Sequence, residues 1–156
     1  MKYLKCLIPY LLIATIGQAQ EKVSETNDIK SLVESKRFVF IAESASPLRG
    51  RTVSLTPGFT VVVSSDTITC DLPYYGRAYS APIGSNEGGF KFTSTDFTYT
   101  VKDRKKGGWD ISIKAKDNTS SHQIYFTISS SGQASLRAIP SDRQSISYNG
   151  YIKGSR

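Results

Sequence analysis

The sequence predicts a mainly β protein, an antiparallel meander of about ten strands closed as a barrel or a two-sheet sandwich, with a short N-terminal helix. From Arg37 onward apolar residues recur at every second position, which is the period of a strand with one buried and one solvated face. Turn sequences such as Pro57-Gly58 and Ser131-Gly132 separate these runs, and such short connections make consecutive strands antiparallel neighbours. Because an open sheet of this size leaves edges unpaired, we expect the strands to close on themselves.

The first 19 residues have the organisation of a cleaved secretory signal peptide. Two lysines, Lys2 and Lys5, precede an apolar run at 6–17, which has about 12 residues and is too short to span a bilayer. Gly17-Gln18-Ala19 offers the small residues that signal peptidase requires. A lipoprotein signal is not favoured, because Lys5 stands directly before Cys6 and the apolar stretch follows the cysteine. We therefore predict export of residues 20–156, to the periplasm, as a soluble chain without a lipid anchor or transmembrane segment.

Residues 20–36 form the predicted helical segment, and residues 37–156 form a single β domain. The helix is expected to plug or flank one end of the barrel. Its apolar side chains are spaced for one helix face, at Val23, Ile29, Leu32 and Val33.

The strands are predicted in order from their alternating apolar residues, which mark the face that turns inward. The runs are Phe59, Val61 and Val63; Ile68, Cys70 and Leu72; Phe97, Tyr99 and Val101; Trp109, Ile111, Ile113 and Ala115; Ile124, Phe126 and Ile128; Ala134, Leu136 and Ala138; and Ile146, Tyr148 and Ile152.

One region breaks this period, residues 73–89, which contain Pro82 and four glycines. A loop of this length inside a compact domain is usually functional or mobile. Three tyrosines and an arginine lie within six of its residues, at Tyr74, Tyr75, Arg77 and Tyr79. These side chains can stack, donate hydrogen bonds and bind anions.

We expect this loop to form a binding site with arginines from other loops, since loops distant in sequence can meet at one mouth of a barrel. The alternative is that tyrosines seal the barrel end and buried arginines satisfy loop carbonyl groups. The candidate binding residues are Tyr74, Tyr75, Arg77, Tyr79, Arg49, Arg51, Arg143 and Tyr148.

Four segments together resemble an exported bacterial family known only as domain of unknown function 4251. They span nearly all of residues 20–156, and the resemblance implies a β-rich exported protein but no reaction and no substrate. The segments are Phe40-Ile41-Ala42 through Pro47-Leu48-Arg49-Gly50-Arg51, Leu72 to Pro82, Gly89-Phe90-Lys91-Phe92, and Arg143 to Gly150.

The residue inventory offers little for catalysis, cofactors or nucleic acid. The net charge of +7 falls to +5 without the two lysines of the leader, and the remaining basic residues are scattered, so nucleic acid is not an expected partner. Without Cys6, only Cys70 remains and no disulfide can form, and the alternation places Cys70 on a buried face. With His122 as the one histidine, no metal site, cofactor or catalytic residue is predicted.

These observations favour a non-catalytic, exported binding protein that takes a small anionic or amphiphilic ligand, or a component of the cell envelope. The alternative is an envelope interaction or accessory module whose partner is another periplasmic protein, because tyrosine and arginine are also enriched at protein interfaces. A hydrolase is the least favoured function.

Overall fold

The computed structural model describes residues 28–76, 89–116 and 121–155. The predicted leader, the first part of the predicted helix at 20–27 and the centre of the long loop lie outside these residues. Residues 28–35 are helical. Ten strands follow: β1 Phe38–Pro47, β2 Val53–Ser54, β3 Thr60–Val63, β4 Ile68–Pro73, β5 Gly89–Ser94, β6 Asp96–Asp103, β7 Trp109–Lys116, β8 Ser121–Ile128, β9 Gln133–Pro140 and β10 Ile146–Gly154.

All ten strands belong to one antiparallel sheet with the order β5-β4-β3-β1-β10-β9-β8-β7-β6, and the short β2 pairs with β1. Strand β1 pairs with β3 on one side and β10 on the other, so the beginning and the end of the domain are adjacent. The sheet curls into a nearly closed barrel, which is the observed one of the two predicted architectures. At the end of β5, the Ser94 hydroxyl contacts the carbonyl oxygens of Asp96 and Lys116 and so links β5 to β6 and β7.

The interior of the barrel is filled with side chains from all around the sheet. Phe126 of β8 reaches β1, where its ring meets the rings of Phe38 and Phe40 edge-on, with centroids 5.7 and 5.5 Å apart. All three rings are fully buried or nearly so. Burial of this apolar surface is the main source of stability for a domain that has no disulfide in its described part.

The helix covers the end of the barrel at which β1 begins, and this end is called the helix end below. Val33 is fully buried, and its carbonyl accepts a hydrogen bond of 2.9 Å from the hydroxyl of Tyr99 on β6. The helix stops at Lys36, which has a φ of 56°, while the amide of Arg37 bonds to the carbonyl of Leu32 in the Schellman pattern. No helix within the described residues is long and apolar enough to cross a bilayer.

A bulge in β1 brings its backbone close to β10. The pairing of β1 with β10 shifts between Ala42 and Ser44, so Glu43 is the extra residue. Gly150 lies opposite Ala42, and a Cβ atom at Gly150 would collide with the carbonyl oxygen of Ile41. Glycine is therefore needed here for space. This explains why no apolar side chain faces inward at position 150, between Tyr148 and Ile152.

Candidate functional site

Three strands end in proline at the end of the barrel opposite the helix, called the loop end below. Pro47 ends β1 and pairs with Ile146, Pro73 ends β4 and pairs with Gly89, and Pro140 ends β9 and pairs with His122. Proline has no amide proton for the ladder, so it is suited to the last position of a strand. The segments that leave these prolines are 48–52, 74–76 and 141–145, and all three begin at the loop end.

Tyr148 is a fully buried residue of β10 beneath these segments. Its hydroxyl donates a hydrogen bond of 2.7 Å to the carbonyl oxygen of Pro73, where β4 ends. Burial raises the pKa of this phenol well above its usual value, so the proton stays on the oxygen and is available to the carbonyl. Tyr148 therefore fixes the start of the long loop to the barrel core.

Tyr74 and Arg143 tie the base of the long loop to the segment between β9 and β10. The Tyr74 hydroxyl donates to the carbonyl oxygen of Gln144 at 2.9 Å, and the Arg143 guanidinium lies 5.0 Å from the centroid of the Tyr74 ring. Arg143 also donates through Nη1 to the carbonyl oxygen of Gly89, 3.1 Å away, where the long loop ends. The pair thus holds both ends of the long loop against the same segment.

The charge of Arg143 is paired with a neighbouring carboxylate. Its Nε and Nη2 atoms lie 3.0 and 2.8 Å from Oδ2 of Asp142, and both side chains are largely buried. The hydrogen bonds from Arg143 hold the pKa of the Asp142 carboxyl below its usual value. The charged carboxylate therefore stabilises the fold at neutral pH, and this contribution is lost as the pH falls through the lowered pKa.

His122 packs on aromatic rings near this pair, at the start of β8. It is 7% exposed, its ring stacks on Phe92 at a centroid distance of 4.4 Å, and Phe90 meets it edge-on at 5.3 Å. An electrostatic interaction with His122 is the last of the causes that lower the pKa of Asp142, after its contacts with Arg143. The sequence did not indicate this association; the only hint was that His122 and Asp142 flank strands predicted to be neighbours.

The described residues offer little for nucleophilic chemistry at a cysteine or for binding of a metal ion. Cys70 is buried, its thiol donates to the carbonyl oxygen of Phe90 at 3.4 Å, and burial raises its pKa well above the ordinary value, which disfavours the nucleophilic thiolate. Nowhere in residues 28–76, 89–116 and 121–155 do three His, Cys, Asp or Glu side chains gather as metal ligands would.

Arg49, Arg51 and Tyr75 are exposed at the same end. The two arginines make no hydrogen bond or ion pair with the described residues, in contrast to Arg143. Leu48, beside Arg49, is 62% exposed, and Tyr75 is 45% exposed. Leu48 was not among the predicted site residues, although an apolar residue directly before Arg-Gly-Arg in a turn lies outside any strand period and could have indicated an exposed contact.

The predicted site residues therefore divide into three groups. Tyr74, Arg143 and Tyr148 come together as loop-holding contacts, and Arg49, Arg51 and Tyr75 lie exposed at the same end of the barrel. Arg77 and Tyr79 lie outside the described residues.

Two open depressions of about 300 and 320 Å³ lie on the outer face of the sheet, away from the loop end. The first lies over β6 to β8 beside Tyr125, and the second lies over β8 to β10 beside Gly150.

The hydrogen bond of Tyr148 provides a first test of the loop-holding role. Replacing Tyr148 with Phe leaves the Pro73 carbonyl without its donor and is expected to lower the free energy of unfolding by about 1–2 kcal/mol. The control is Tyr125→Phe, because that hydroxyl makes a solvent-exposed hydrogen bond of 3.0 Å to the Gln123 side chain and its loss should have almost no effect. Urea denaturation measures both, and equal effects would contradict the role given to Tyr148.

Comparison with known proteins agrees with the fold and adds no activity. A family model described as "Domain of unknown function (DUF4251)" matches residues 20–152. The structure is similar to the crystal structure of a DUF4251 family protein from Bacteroides eggerthii, with a TM-score of 0.64 and 18% sequence identity, covering 88% of this chain and 91% of that chain. A search of curated proteins finds no match. At this identity the structural likeness supports the fold alone.

Proposed function

Because the chain belongs to the DUF4251 family, whose description gives no activity, we propose its function from the geometry of the loop end. The protein is an exported, non-catalytic binding module that takes an anionic or amphiphilic ligand there. The observation that carries this proposal is that Arg49 and Arg51, which make no ion pair with any described residue, are exposed beside Leu48 in the turn after β1, at the same end of the barrel as the exposed Tyr75. Cationic and apolar groups side by side are complementary to a ligand that has an anionic group and an apolar part.

Three other predicted site residues hold the base of the long loop at this surface. Arg143 and Tyr74 hold both ends of the long loop, and Tyr148 holds its start. A loop held at both ends presents its side chains at a lower entropic cost on binding. In this proposal Arg77 and Tyr79, which belong to the held loop, contact the ligand together with Arg49, Arg51 and Tyr75.

The test compares ligand retention in two arginine variants by native mass spectrometry, using protein purified from its own host. Arg77→Ala should abolish the ligand-dependent mass excess while leaving the melting temperature almost unchanged, because in this proposal Arg77 contacts the ligand. The control Arg137→Ala removes an exposed arginine from the outer face of β9 and should keep the ligand. A large loss of stability in Arg77→Ala with ligand retention unchanged contradicts the proposal.

The alternative function, an envelope protein-interaction or accessory module, uses the same exposed surface. Arginine and tyrosine are common hot-spot residues of interfaces, and the exposure of Leu48 suits a protein contact as well. Crosslinking in cells discriminates between the two functions. A stoichiometric protein partner attached through 48–52 supports the alternative, and a chain without such a partner supports ligand binding.

A hydrolase remains the least favoured proposal. In the described part of the chain, the one histidine packs on Phe92, the thiol of Cys70 is buried, and the Asp142 carboxylate is bound by Arg143. Among the described residues, no exposed nucleophile or second carboxylate forms a cleft with these groups, as general acid–base chemistry requires.

A further inference from the structure

We propose that the loop end docks on a membrane surface that carries anionic headgroups, with Leu48 entering the headgroup region and Arg49 and Arg51 contacting lipid phosphates. This inference rests on the proposed function and deepens it, because it identifies the anionic amphiphile as a lipid that remains in its bilayer. The protein would lie on the membrane through one end of the barrel, with the helix end directed away from the lipid.

The exposed apolar residues are concentrated at the loop end. Among the described residues, the large hydrophobic side chains that are exposed are Leu48 at 62%, Tyr75 at 45%, Tyr125 at 39% and Val53 at 37%. Only Tyr125 lies on the outer face of the barrel wall; the other three belong to 48–53 and to the base of the long loop. Leucine gains from leaving water, and tyrosine is favoured where one part of the ring is apolar and the other solvated, as at a membrane interface.

The charge at this surface is positive and is not neutralised by described neighbours. Arg49 and Arg51 are both exposed, and 48–53 contains no acidic residue. Asp142, a described acidic residue of the loop end, is bound to Arg143 instead. Basic residues at a membrane surface are attracted to anionic lipids, and arginine binds phosphate with paired donors.

The turn that carries these residues is anchored to the barrel on both sides. The hydroxyl groups of Ser46 and Thr52 lie 2.8 Å apart and hydrogen-bond across its base, and β2 then pairs with Ser44 and Ala45 of β1. Gly50, with a φ of 127°, allows the chain to reverse at the tip. Leu48 and the two arginines therefore project beyond the end of β1 on a short, closed turn.

The packing beneath the loop end favours a bilayer over a lipid taken into the barrel. Tyr148 and Leu72 are fully buried there and Phe90 is 3% exposed, so these side chains fill the space that an acyl chain would occupy. The two described depressions lie on the outer sheet face instead. Apolar groups of the protein are exposed while its described interior is filled. The acyl chains therefore remain in the bilayer, and the protein binds at the bilayer surface.

The test is sedimentation with vesicles, using the protein from residue 20 onward, which contains every described element of the fold. Vesicles of phosphatidylcholine mixed with phosphatidylglycerol should bind the protein, while vesicles of phosphatidylcholine alone should not, and added salt should weaken the binding. Leu48→Ser should lower the partition coefficient on the order of tenfold, from the transfer free energy of its side chain. The double variant Arg49→Gln/Arg51→Gln should lower it by about 25-fold, from roughly fivefold per basic residue.

Two control variants make comparable changes at positions away from the loop end. Tyr125→Ser removes the exposed apolar residue of the barrel wall, and Lys105→Gln/Lys106→Gln removes the same net charge at the turn after β6. Both should leave vesicle binding nearly unchanged. Equal losses in the lysine and arginine pairs, or no binding to anionic vesicles, overturn the inference.

The outcome separates this inference from the proposed function. If anionic vesicles do not bind but dispersed short-chain phosphatidylglycerol does, the ligand is an extracted amphiphile; the membrane inference is then wrong and the proposed function is supported. If neither form binds and the protein from its host carries no ligand, both are contradicted. Binding to vesicles that is lost in the Leu48 and arginine variants supports both.

Discussion

Replacement of Gly150 with alanine is expected to lower the free energy of unfolding by about 3 kcal/mol or more, because the added methyl group collides with backbone rather than with a movable side chain. The obstacle is the carbonyl oxygen of Ile41, with the Cα atom of Ala42 3.2 Å away. Relief requires β1 and β10 to separate at the pair that joins the two ends of the domain. Urea denaturation should show a lower midpoint with an almost unchanged slope.

The matched control for this prediction lies in the same strand. A Cβ atom at Gly154 would meet only the side chain of Leu32 at 3.5 Å, which is an ordinary contact, so Gly154→Ala should change stability by no more than about 0.5 kcal/mol. If Gly150→Ala were equally mild, β1 and β10 could not be as close at the bulge as the structure has them.

Replacement of Phe126 with alanine is expected to cost about 3–5 kcal/mol, the usual range for an aromatic side chain removed from a packed core. Its ring is 1% exposed and meets both Phe38 and Phe40 edge-on, so truncation leaves a cavity at the centre of the barrel and removes two aromatic contacts. Thermal unfolding of the variant should begin at a clearly lower temperature than that of the parent protein.

The adjacent residue provides the control, since consecutive residues of a strand face opposite sides. Tyr125 is 39% exposed on the outer face, and Tyr125→Ala should cost less than about 1 kcal/mol. A similar loss in both variants would mean that β8 does not separate a packed interior from solvent. A packed interior is also what makes the loop end, rather than the barrel lumen, the proposed binding surface.

Most of the fold could be predicted because each strand has its own local signal. In β7, Trp109, Ile111, Ile113 and Ala115 alternate with polar residues, and all four are buried. The choice between barrel and sandwich was not available from the sequence, since it depends on which strands pair across the sheet. The pairing of β1 with β10 joins segments about a hundred residues apart, and no local pattern encodes it. The two-residue β2 is too short to show a period.

The candidate site was predictable in its composition but not in its contacts. The density of tyrosine and arginine identified Tyr74, Arg143 and Tyr148, which the structure brings together at the loop end. The sequence could not show that all three side chains bond to backbone carbonyl groups and that Arg143 packs on the ring of Tyr74, because their partners come from other loops. Exposure of Leu48 was missed for a related reason, since burial depends on how the turn leaves the barrel.

Binding of an anionic or amphiphilic ligand at the loop end is best tested by native mass spectrometry of the protein purified from its own host. For a ligand that leaves with the protein, we expect a mass above that of the polypeptide, an excess that disappears on denaturation and is anionic or lipid-like in composition. For a lipid that stays in its bilayer, we expect the bare polypeptide mass together with binding to anionic vesicles. Arg137→Ala should keep this excess and Arg77→Ala should lose it. A mass equal to that of the polypeptide alone, together with no binding to anionic lipid in either dispersed or vesicle form, would contradict ligand binding at the loop end.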